Sequence, residues 1–194
     1  MTLDDASTQG WREWLVPIAE ESATLRQLLA DSAHLKAGQD AIPLIIQLVE
    51  NPRFDIPGIE LFNGAVDLHT HDCIHILLGR GMLPKDEAFV IGFTMGSSNR
   101  VSMTEEKLFA WVSKYLYPGP YRFGREDIEV FKDAVRLGYV SDCQPLAGVD
   151  YDRLMDMPLK EAREHIGIEA DLLEAYYRIE KRRYPDDRAS CRLV

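Results

Sequence analysis

The chain has 194 residues, 46% hydrophobic and 28% charged, with 22 Lys and Arg against 32 Asp and Glu, a formal net charge of -10. These proportions suit one soluble globular domain, residues 1–194, large enough to bury a core, and a chain this acidic lacks the clustered cations that phosphate-backbone binding needs, so no nucleic-acid partner is expected. The three cysteines, Cys73, Cys143 and Cys191, are odd in number and widely spaced, which does not make a disulfide framework.

The start, MTLDDASTQG, is acidic and polar where a signal peptide would be basic and then apolar. The longest apolar runs fall well short of the roughly 20 residues a bilayer span requires. A cytoplasmic protein is expected, with peripheral contact on the inner membrane surface left open.

In chain order, residues 11–35 place Trp14, Ile18, Leu25, Leu28 and Leu29 at near-helical spacing, with Pro17 as a start or kink, and DAIPLIIQLVENP gives a shorter helix stopped before Pro52. Periodicity returns from about Glu60 and ends at Gly79-Arg80-Gly81, where glycine can close a helix. A helix starts at Pro84, with Asp86 and Glu87 favoured in its first turn by the helix dipole. Ser102 and Glu105 form a capping box for TEEKLFAWVSKYLY. After the loop PGPYRFG, a helix over 125–138 ends at Gly138, another runs from Pro158 to Gly167, and EADLLEAYYRIEKRRY follows. No segment alternates long enough to be a strand. The expected fold is all-α, a helical bundle with a metal site between two consecutive helices.

That site is read from HTHDCIHILLGRGMLPKDE, which holds three of the five histidines. His71 and His75, four apart, share one helix face and can offer imidazole nitrogens to one ion. Asp72 sits about a hundred degrees round, able to ligate or to orient a ligand imidazole. GRGMLP can reverse the chain and bring Glu87 back towards the histidines. Two imidazoles and one or two carboxylates suit zinc, and also iron or manganese.

Other residues read as structural. His69 and Cys73 point away from the His71/His75 stripe, Cys73 as a small buried hydrophobe. Gly92 and Gly96 read as a close helix contact. The aromatic loop before residue 125 could wall a pocket, with Arg122 or Arg125 available to a carboxylate.

At His71-Asp72-x-x-His75, followed after eleven residues by Glu87, the chain resembles the ubiquinone (coenzyme Q) biosynthesis protein four family, whose metal signature has this form. A second similarity lies in QPLAGVDYDRLMDMPLKEAREHIGI, which looks like the family's closing segment, so the resemblance covers about residues 66–168. His69-Thr70 stand where members commonly carry a charged pair, Ile74 where an aromatic is often seen, and residues 169–194 run past the family's usual end.

The resemblance implies a zinc-type site of His71, Asp72, His75 and Glu87, with Glu87 and Asp72 as the catalytic carboxylates. The implied partners are a prenylated aromatic or isoprenoid lipid, other quinone-biosynthesis proteins and a second copy in a homodimer. The implied reaction is oxidative decarboxylation, carboxyl to hydroxyl, of a polyprenylated hydroxybenzoate. Two other readings stay open: a lipid-binding scaffold whose metal only pins two helices, and a metal-dependent phosphohydrolase, for which His34 and Asp133 would have to join the site.

Overall fold

The computed structural model describes residues 13–36, 68–98 and 123–194. Among these the α-helices are α1 (Leu25–Lys36), α2 (Leu68–Leu78), α3 (Pro84–Ser97), α4 (Arg125–Val140), α5 (Leu159–Ile166), α6 (Ala170–Arg183) and the single turn α7 (Arg188–Cys191), with 3-10 turns at Leu146–Gly148 and Tyr151–Leu154. The only extended pairing among the described residues is one isolated bridge, Thr24 to Pro158. The all-α expectation holds. The expected helices over residues 40–51 and 104–117, and the start of the one from Glu60, lie outside the described residues.

The first expected helix is shorter than its periodicity suggested. Residues 14–24 are not helical, because the local polar groups make turns first. Glu20 Oε1 accepts the backbone N–H of Ser22 and Ala23, and Thr24 and Gln27 exchange side-chain to backbone bonds as a capping box. Val16 and Ile18 are buried all the same. The segment is a strap whose carbonyls serve α5: Leu159 N–H donates to Ala23 O at 2.9 Å and Lys160 N–H to Glu21 O at 3.1 Å. Two orphan donors of a helix start are thereby satisfied.

Helix α2 is buried on almost all sides, with Cys73, Ile74, Ile76, Leu77 and Leu78 fully inaccessible. Its end therefore needs protein partners for its last carbonyls. Gly79, at φ 69°, takes the left-handed turn expected of it. Arg163, a buried side chain of α5, donates to Leu77 O at 2.9 Å and also to Ile76, Ile18 and Glu20 carbonyls. Tyr177 of α6 donates its hydroxyl to Leu78 O.

Helices α3 and α4 run parallel: Lys85 meets Glu126 near their starts, Gly92 faces Phe131 and Ala134, and Gly96 faces Gly138. Gly138 does not end α4, which continues to Val140. A Cβ on Gly138 would drive into Phe93 O, and one on Gly92 would lie 2.5 Å from Phe131 O. Glycine serves close approach here, and the Gly92/Gly96 expectation is met.

Candidate metal centre

The reversal over residues 79–83 folds the start of α3 back onto α2. Pro84 fits the first helical position, and Asp86 reaches back to accept the Leu83 N–H at 3.1 Å, fixing where α3 begins. With that start, Glu87 faces the histidine stripe. His71 Nε2 lies 3.0 Å from His75 Nε2 and 3.2 Å from Glu87 Oε2, and His75 Nε2 lies 3.5 Å from Glu87 Oε1. Both imidazoles are wholly inaccessible, and the Glu87 side chain is 13% exposed.

These separations are a test for a metal. With bonds of about 2.0–2.1 Å, two ligands of a tetrahedral ion stand about 3.3 Å apart, within the 3.0–3.5 Å seen here. Two imidazole lone pairs facing each other at 3.0 Å in a buried site repel unless a proton or cation lies between them. The donor set and its spacing fit a divalent ion, and His71, His75 and Glu87 are the described residues that could hold it.

Asp72 stands elsewhere in the site. Its Oδ1 is 3.6 Å from His71 Nδ1, the ring nitrogen opposite the one aimed at Glu87 and His75. It therefore faces the back of the imidazole at ion-pair rather than hydrogen-bond distance, where a carboxylate can favour the tautomer that leaves Nε2 as the lone-pair donor. His69 is exposed, while Cys73 is buried. Arg125 is exposed at the first turn of α4. Arg122, and the side chain of His34, lie outside the described residues. Asp133 is engaged by Arg183 at 2.7 Å and by Arg136 on the outside of α4, and does not join the histidines.

The charges respond as this geometry requires. Burial pushes the His71 imidazolium down, but the facing Glu87 and Asp72 carboxylates outweigh it and lift the pKa to about 9. Burial pushes the Glu87 carboxyl up, and His75 and His71 outweigh that, holding it well below the usual carboxylate range.

Behind the site lies a second buried charge cluster that the sequence reading missed. Arg80, fully inaccessible, makes a bidentate pair with Glu180 at 3.0 and 2.5 Å and lies between the rings of Phe89 and Tyr177. One signal was available. Glu180 falls on the stripe Leu173, Tyr176, Tyr177, where a charged residue must be buried with a partner.

Compared with family models, with curated proteins and with solved structures, this chain finds no match. Among the described residues no helix is long and apolar enough to cross a membrane.

Proposed function

We propose that this chain is a divalent-metal enzyme of ubiquinone-type biosynthesis, related to the ubiquinone biosynthesis protein four family. Its reaction is the oxidative decarboxylation of a polyprenylated hydroxybenzoate, with zinc, or iron or manganese, at His71, His75 and Glu87. The observation that carries the metal reading is the convergence of the His71 and His75 Nε2 atoms, 3.0 Å apart, with the Glu87 carboxylate, whose Oε2 lies 3.2 Å from the first and Oε1 3.5 Å from the second. The family-specific chemistry rests on the sequence resemblance.

A bound divalent ion supplies Lewis acidity, stabilising a carboxylate or phenolate and charge developing on the ring. The chain does the rest. Neutral His71 and His75 bring no charge, and the Glu87 and Asp72 carboxylates together offset a doubly charged cation, so an anionic substrate would be drawn by coordination to the ion rather than by the net charge of the site. Glu87 stays ionised, and Asp72 holds the His71 ring in the orientation that aims Nε2 inward. The three donors among the described residues are one fewer than a tetrahedral ion takes, which suits a centre that also binds substrate rather than a closed structural one. The ring carbon would lose its carboxyl as carbon dioxide and gain a hydroxyl, a net two-electron oxidation that balances when each O₂ serves two substrate molecules, one oxygen atom going to each.

Elemental analysis of wild type beside His75→Ala tests the metal, with one ion per chain expected in the first and none in the second. Metal-replete protein given a prenylated hydroxybenzoate and O₂ should release carbon dioxide and form the hydroxylated ring. Normal substrate binding with neither product would instead support the scaffold reading, in which the metal only ties α2 to α3.

A further inference from the structure

The first turn of α3 carries Glu87, and the two residues before it point elsewhere. Asp86 is fully inaccessible, and its Oδ2 accepts from Arg192 Nη2 at 2.5 Å as well as from Leu83 N–H, while its Oδ1 faces Arg80 Nη1 across 3.7 Å. Lys85 is 2% exposed and lies between Asp187 at 3.1 Å and Glu126 at 3.0 Å, with the Tyr184 ring 4.0 Å from its ammonium. Gly81, in the turn, has the Arg192 guanidinium lying against it so closely that any Cβ would displace it.

Successive residues of a helix are about a hundred degrees apart, so Lys85, Asp86 and Glu87 point in three directions. Two are held by residues 184–192, and the third faces the histidines. Rotating or sliding this turn to move Glu87 would pull Asp86 from Arg192 and Lys85 from Asp187, leaving buried charges unmet, a costly state.

Resting on the metal reading above, we infer that Arg192 and Asp187 are positioning residues of the metal centre, acting through Asp86 and Lys85 to fix Glu87. The segment 184–192 is thus part of the site's support, although none of it reaches the ligand atoms. Residues that orient metal ligands typically change affinity by 10–100-fold when lost, and that range is expected here.

The test is cobalt(II) titration, read as dissociation constant and as the visible d–d spectrum, for wild type, Arg192→Gln and Arg192→Lys. To separate positioning from loss of stability, wild type is also titrated in the low urea concentration that brings it to the stability of the Gln variant. The expected result is binding at least tenfold weaker with an altered spectrum in Arg192→Gln, partial recovery in Arg192→Lys, and wild type unchanged in urea. Should Arg192→Gln not fold, Lys85→Gln, which releases the Asp187 tie, carries the same expectation. Wild-type affinity and spectrum in the folded variant would overturn the inference and leave the metal reading intact. No cobalt bands in wild type would remove the metal reading and this inference with it.

Discussion

Two buried polar clusters lie on either side of the α2 to α3 turn, and they differ in one respect. Behind the turn, Arg80, Glu180, Asp86 and Arg192 set opposite charges against each other. In front, His71, His75 and Glu87 turn electron-pair donors towards one another. Both are largely buried, so burial does not distinguish them. One cluster sets cations directly against carboxylates, and the other brings two ring nitrogens and a carboxylate together as a group that could hold a cation.

The largest effect should come from breaking the self-balanced side. Glu180→Ala strands Arg80 between two aromatic rings, and losing one partner of a buried pair costs about 3–5 kcal/mol, read as a fall in the urea midpoint. Saturating zinc should act on the other side alone. At a thousandfold excess over the dissociation constant it stabilises a native site by about 4 kcal/mol, and His75→Ala should show no such gain in thermal unfolding.

A third region sharpens the contrast. Gly138→Ala forces α4 away from Phe93 and should cost about 1–3 kcal/mol through overpacking, measured by urea unfolding. Zinc stoichiometry should stay at the wild-type value, since α4 contributes no ligand.

The smallest effect is on acid stability. Burial pushes the Asp187 carboxyl up, but the Ser190 N–H and Lys85 outweigh it and hold it below its ordinary value. A folded pKa below the unfolded one contributes stability that is present above the unfolded value, about 4, and is lost as pH falls from there through the lower folded value. Asp187→Asn should therefore melt lower than wild type at pH 7, and the gap should close as pH falls from about 5 to below 3. A gap that is constant with pH would remove Asp187 from the ionic support of Lys85.

The helices and three of the site residues were legible because each rests on a local rule. The i, i+4 histidines, the left-handed Gly79 and the Pro84 start follow from short-range geometry, and together they place Glu87. Two features were misread for the same kind of reason. Gly138 satisfies the rule for a helix end, yet its absent side chain is used sideways against α3; Trp14 and Ile18 have helical spacing, yet Glu20 and the Thr24–Gln27 box form turns first. The charge cluster behind the site was hidden because its partners are about a hundred residues apart, Arg80 to Glu180 and Asp86 to Arg192. Only Glu180, a charged residue on an apolar stripe, hinted at it. Asp72 was left between two roles, since helical angle alone does not say which ring nitrogen it meets.

Arg163 has a consequence for the order of assembly. It closes the end of α2 and binds carbonyls of Ile18 and Glu20, so the helix bearing both histidines is not finished until residue 163 has left the ribosome, nor its turn neutralised until residue 180 follows. Contacts this distant in sequence form late and slow folding, because the loop entropy is lost before they form. The nascent chain therefore displays its candidate metal ligands well before it can hold them in place, and any metal loading belongs to the completed domain.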